Sequence, residues 1–98
     1  MSHLHAAVLD LGLRVPGARS LKEKRAVLRP ILEGCRHRFS VAAAEVGSQD
    51  SWQSAQLGVA AVASTARHVS EVLDAVERFV WSFPEVEVLS AERSWLGQ

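Results

Sequence analysis

SVAAAEVGSQDSWQSAQLGVAAVAS, Ser40 to Ser64, is the stretch whose reading decides the fold. Ser40 to Val46 is a short run of Ala and Val that reads as a strand. Gly47 to Ser54 is polar and turn-like. Ala55 to Ser64, AQLGVAAVAS, is a second apolar run of strand length. Two such runs joined by a short polar loop predict a hairpin. Its flanks on both sides carry helical periodicity, and each flank is followed outward by a further strand.

Upstream lies SLKEKRAVLRPILEGCRHRF, Ser20 to Phe39. Leu21, Leu28, Ile31, Leu32, Cys35 and Phe39 recur at helical spacing, which places one apolar stripe toward a core. Lys22, Arg25, Arg29 and Arg36 form another stripe. Ser20 and Glu23 have the spacing of a capping box, in which the Ser hydroxyl accepts the Glu23 N–H and the carboxylate reaches back to the Ser20 N–H. Pro30 and Gly34 interrupt the helix. An interior Pro removes the hydrogen bond to Ala26 and costs roughly 3 kcal/mol, so a kinked helix held by its apolar face is expected. Before it, Arg14 to Arg19 contains a Pro-Gly turn signal. His3 to Leu13 alternates, with Ala7, Leu9, Leu11 and Leu13 on one side and Val8, Asp10 and Gly12 on the other. That is a strand with one apolar face.

Downstream, Ser64 or Thr65 can cap a second helix. Val69, Val72, Leu73, Val76, Val80 and Phe83 form its stripe, and Pro84 ends it. Glu85 to Arg93 opens with Val86 and Val88 inward and Glu85 and Glu87 outward, a fourth strand. Trp95 and Leu96 are possible anchors of a short tail.

The order is β-α-β-β-α-β. Two split β-α-β units, each crossing right-handed, give an α+β fold: a four-stranded antiparallel sheet with both helices on one face, the ferredoxin-like arrangement. Residues 1–98 read as a single domain. The second sheet face is left bare. An RNA-recognition domain stacks bases on aromatics of its central strands. LHAAVLDLGL and AQLGVAAVAS hold none. A flat apolar face without aromatics favours a homodimer through the sheet. Whether Ala-rich strands two and three turn one set of side chains or the other toward the helices is not decided by their sequence.

Net charge is zero but lopsided. Arg14 to Arg38 carries eight basic residues against two acidic, a local balance of +6; the rest of the chain has three against nine, −6. Such asymmetry can focus a field on a polyanion. The plainer reading is a solvated helix face with pairs such as Arg29–Glu33. No apolar run reaches the roughly 18 residues of a membrane span. The N-terminus lacks the pattern of a secretory signal. One cysteine, Cys35, rules out an internal disulfide and suits a reducing, cytoplasmic setting.

Three stretches together resemble the YlxP-like family of small bacterial proteins, a domain of unknown function. They are PGARSLKEKRAVLRPILE (16–33), RFSVAAAEVGSQDSWQSAQLGVAAVAS (38–64) and EVEVLSAERSWL (85–96). The SLKEKR element and the AEVG-x-QD-x-WQ-x-A-x-LG element, in that order, are specific. The resemblance implies a ferredoxin-like fold, a cytoplasmic protein and genes placed among those for translation and ribosome maturation. It therefore implies RNA or the ribosome as a partner. It supplies no catalytic residue. Ser48 stands where members often carry His, which weakens a His-dependent site in that loop.

Arg14, Arg19, Lys22, Lys24, Arg25 and Arg29 are the nucleic-acid-binding candidates, because guanidinium and ammonium groups meet phosphate. Lys24 lies near the apolar stripe, where it can snorkel. Gln49, Asp50, Trp52 and Gln53 are interaction-loop candidates. Trp52 either pins the hairpin to its own or a partner subunit or stacks a base. His3 and His5 share a strand face but lack further ligands at suitable spacing, so no metal is expected. His37 and His68 read as helix-surface or helix-end residues. No cofactor is expected either, since no phosphate-binding glycine loop, nucleophile elbow or paired-Cys motif occurs. Asp10 and Glu45 could share the open face. The expectation is a non-enzymatic domain that meets RNA through its basic helix, or a protein-interaction module that uses the open sheet and the Trp52 loop.

Overall fold

The computed structural model describes residues 3–97. Its elements are β1 (His5–Arg14), α1 (Leu21–Phe39), β2 (Ala42–Gly47), β3 (Ser54–Ala63), α2 (Ala66–Trp81) and β4 (Glu87–Trp95). The sheet order is β2-β3-β1-β4, with every pair antiparallel. This is the ferredoxin-like topology that the alternating pattern predicts.

The parity of the Ala-rich hairpin is decided by β1. Ala7, Leu9, Leu11 and Leu13 are buried, and they sit opposite Ala61, Val59, Leu57 and Ala55 across the β1–β3 ladder. Residues directly opposite in an antiparallel pair share a face, so these four β3 side chains point the same way. They meet Leu28, Ile31 and Cys35 of α1 and Val69, Leu73, Val76 and Val80 of α2. The alternate residues Ala6, Val8 and Asp10 of β1 and Gly58, Ala60 and Val62 of β3 form the uncovered face, together with Ala42 and Ala44 of β2.

Two bulges shape the outer strands. Glu45 pairs with Leu57 and Gly47 with Gln56, which leaves Val46 as the extra residue. Leu13 pairs with Val88 and Gly12 with Ser90, which leaves Leu89 extra. A bulged residue is turned out of the ladder, and both are exposed. Val46 lies over Gly58 on the open face, close enough that a Cβ there would meet its Cγ1 at 3.0 Å.

Both caps form where the sequence places them. Ser20 Oγ accepts the Glu23 N–H at 3.0 Å, and Thr65 Oγ1 accepts the His68 N–H at 3.1 Å. The box differs in one detail: Glu23 Oε1 takes the N–H of Arg19 at 3.0 Å, one residue before the cap. α1 runs unbroken through Pro30. Ala26 and Pro30 are both exposed, so water can satisfy the carbonyl that the proline leaves free. Gly34 has a packing reason, since a Cβ there would collide with the Phe79 ring. Phe79 in turn meets Phe39 and Phe83 edge-on, with centroids at 5.7 and 5.0 Å. β4 begins two residues later than the alternation predicts. Residues 83–86 form a turn closed by Val86 N–H to Phe83 O at 3.4 Å.

Candidate nucleic-acid interface

The basic candidates divide into three groups. Lys24 is a correction to the sequence reading. It is fully buried, and its ammonium donates to the carbonyls of Ser48 at 2.8 Å and Ser54 at 3.1 Å. Glu45 Oε2 lies 2.8 Å away. That carboxylate oxygen is itself buried and has no hydrogen-bond partner, so it meets Lys24 as an ion pair outside hydrogen-bonding geometry. Snorkelling needs a path to water along the apolar edge. Lys24 has none, because positions 24, 28, 31 and 35 are the buried line of α1. Its spacing of four from Leu28 and seven from Ile31 is the signal that places it mid-stripe. Lys24 cannot reach a phosphate. Glu45 consequently points to the helix side while Asp10 lies on the open face, where Gln56 Nε2 donates to Asp10 Oδ1 at 2.6 Å. The two carboxylates do not share a face.

Arg14 stands apart too. It ends β1 with Glu87 3.8 Å away. The third group is Arg19, Lys22, Arg25 and Arg29. All four are exposed, and among the described residues none has an ion-pair partner. The expected Arg29–Glu33 pair does not form, and Glu23 is occupied by a backbone N–H. Arg25 and Arg29 line a cleft of about 280 Å³ between α1 and β2, with Arg36, Glu33 and Glu45 on its walls. Arg36 Nε donates to Ala43 O at 3.0 Å and so covers a carbonyl of edge strand β2. Arg38 lies 4.9 Å over the Phe79 ring.

The carboxylates of α2 have ion-pair partners, Glu71 in Arg67 at 3.9 Å. Arg93 of β4 reaches Asp74 and Glu77, each at 2.7 Å. Desolvation works against its charge, but hydrogen bonds to Glu77 and Asp74 outweigh it and raise its pKa. Thus part of the acidic half is neutralised within itself, while Lys22, Arg25 and Arg29 of α1 face solvent.

The Trp52 loop is tied down at its base. Ser48 adopts the left-handed conformation at φ 57°, and its carbonyl accepts from Lys24 and from Ser51 N–H at 3.0 Å. Gln53 O accepts the Val15 N–H at 2.8 Å, and its side-chain amide reaches Pro16 O and Ala18 O, both at 3.4 Å. Pinning therefore falls to Lys24 and Gln53. Trp52 is 54% exposed, so about half of its surface is left to solvent. Gln49 and Asp50 are exposed beside it.

Cys35 is buried on α1. Burial pushes its thiol up to about 11, against a smaller lowering by Arg36, so it is not a thiolate near neutrality. Among the described residues no three His, Cys, Asp or Glu side chains gather as a metal site. No helix of these residues is long and apolar enough to cross a membrane.

Fold and surface define a small ferredoxin-like α+β protein with a basic helix whose outer stripe is unneutralised, and a bare sheet face. Two designed proteins share the fold. Foldit4 has a TM-score of 0.56 at 15% identity, covering 91% of this chain and 96% of that one. LFR1 1, a designed ferredoxin fold solved by NMR, has a TM-score of 0.53 at 8% identity, covering 95% and 86%. Residues 6–93 match the family described as a protein of unknown function, DUF503. The chain is also 44% identical over 78 residues to the uncharacterized protein YlxP of Bacillus subtilis (strain 168), covering 80% of this chain and 85% of that protein. The chain belongs to the DUF503/YlxP family.

Proposed function

We propose that this protein is a non-enzymatic factor that binds RNA or a ribonucleoprotein through the phosphate backbone, using the outer stripe of α1. One observation carries the reading: Arg19, Lys22, Arg25 and Arg29 are exposed and unpaired among the described residues, while Asp74 and Glu77 are taken up by Arg93. Free cations on α1 and the turn before it release counterions when they meet phosphate, so affinity falls with salt. Four contacts to a single strand correspond to a slope of log K against log salt of roughly −3. Filter binding of a mixed-sequence RNA across a salt series tests this. Arg25→Glu with Arg29→Glu is expected to weaken binding and to flatten the slope by about 1 per lost contact. Affinity indifferent to salt and to both substitutions rejects the reading.

A second reading concerns the open sheet. Val8, Val46 and Val62 are exposed there. At one end, Ala6, Ala42, Ala60 and Leu96 join Val8 and Val62 around an apolar groove of about 490 Å³. Four strands of such length span roughly 600 Å² in projection, comparable with the ~800 Å² per partner of a standard interface. A second copy of this chain is the occupant we infer for it. α1 lies across the sheet from that face, so the dimer and the RNA readings are compatible.

A further inference from the structure

We propose that Trp52 is a stacking platform for an unpaired base, and that the RNA bound along α1 is single-stranded where it passes the hairpin loop. This deepens, and rests on, the phosphate-backbone reading of α1. Three observations lead to it.

First, an indole in contact with water forfeits the burial that normally stabilises so large an apolar side chain. Trp52 is 54% exposed and lines a shallow depression of about 310 Å³ with Asp50, Ser51 and Gln53. Second, the loop beneath the indole is already ordered. Lys24 holds Ser48 and Ser54, Ser51 N–H closes on Ser48 O, and Ser54 N–H bonds Ser51 Oγ at 3.2 Å. A ligand that stacks on a ring carried by a held loop loses less ordering entropy than one that must first order the loop. Third, Gln53 fastens the loop to the turn before α1. Its amide meets Ala18 O at 3.4 Å. Trp52 and Arg19 are each one residue from that contact, which places their Cα atoms within about 18 Å by chain geometry. Arg19 and Lys22 can therefore hold phosphates of the same strand whose base lies on Trp52.

The polar neighbours bear on where the strand's phosphates can sit. Asp50 has no ion-pair partner among the described residues and repels phosphate. Phosphate is thereby favoured at Arg19 and Lys22 over the position of Asp50. The Asp50 carboxylate and the Gln49 amide remain available to base-edge amino and carbonyl groups. A duplex offers no free base face to the indole, because its bases are stacked and its deep groove is closed to side chains.

The test uses fluorescence anisotropy with one labelled RNA sequence, presented as a single strand and as a duplex. Trp52→Ala is expected to weaken single-strand binding roughly 5- to 100-fold and to leave duplex binding and the salt slope unchanged. Trp52→Phe, which retains a ring, is expected to keep most of the affinity. Equal single-strand affinity for wild type and Trp52→Ala, or an equal loss on single strand and duplex, overturns the stacking role. In that case the phosphate reading stands or falls separately, on whether Arg25→Glu/Arg29→Glu weakens both RNAs. Absence of any RNA binding by wild type overturns both.

Discussion

Replacing Lys24 by Met removes a buried cation from the core and should cost about 3 kcal/mol. The side chain is fully buried, and its ammonium serves two carbonyls and a carboxylate, at 2.8, 3.1 and 2.8 Å. Met fills the stem volume but supplies no charge or donor. Breaking a buried pair by removing one partner costs about 3–5 kcal/mol, because the other charge is left without compensation. The Glu45 side chain is 15% exposed, so water can reach part of the carboxylate and the lower end applies. Ser48 and Ser54 are exposed residues, so their carbonyls can recruit water and add little. For a domain of this size, such a loss lowers Tm by roughly 12–24 °C. Urea unfolding followed by far-UV circular dichroism measures it directly. Lys22→Met, on the exposed stripe, is the control and should stay within about 0.5 kcal/mol. Lys24→Met with Glu45→Met should recover at least ~1 kcal/mol relative to the sum of the single changes, since neither charge is then stranded. A Lys24→Met protein as stable as the control refutes the buried-pair argument. So does a fall in the RNA salt slope when the folded variant is compared with wild type, since Lys24 would then be reaching phosphate.

The open-face dimer is tested with Val62→Lys, at a position 65% exposed. Sedimentation is expected to show a wild-type dimer at high micromolar concentration and a monomeric variant, and a monomeric wild type removes the sheet interface. Val59 cannot serve in that experiment, because it is buried against the helices and a lysine there would unfold the core. The Cys35 thiol, raised by burial from 9.0 to about 11, keeps its proton in the folded chain over a range where the unfolded chain loses it. The stability it contributes is therefore full below about pH 9 and lost as pH rises toward 11. Cys35→Val should show a shallower stability loss across that window. A thiol reagent should react with native wild type at pH 8 far more slowly than with the urea-unfolded chain, and equal rates would contradict the burial.

Much of the architecture was legible because helices and strands write different periods into a chain. Val69, Leu73, Val76 and Val80 mark the buried line of α2 by spacing alone, and Ala7 to Leu13 mark the inner face of β1 by alternation. Ser20 announced one helix and the Ser64–Thr65 pair the other, of which Thr65 is the cap, through hydrogen bonds made within three residues. The charge separation, the exposed α1 stripe and the lack of aromatics on the central strands were likewise local facts. Tertiary structure alone decided the rest. The inner face of β3 could not be read from AQLGVAAVAS, since both of its faces are apolar. Its parity comes from pairing with β1, which lies some fifty residues away in sequence. Lys24 looked like one more phosphate ligand because its acceptors, Ser48, Ser54 and Glu45, belong to another part of the chain. Trp52 read first as a pin for the hairpin, to its own or a partner subunit; its exposure, and the hold of Gln53 and Lys24 on the loop, came only with the fold. Periodicity reports which way a side chain points relative to its own element. What it meets there depends on contacts between distant segments, and those exist only in the folded chain.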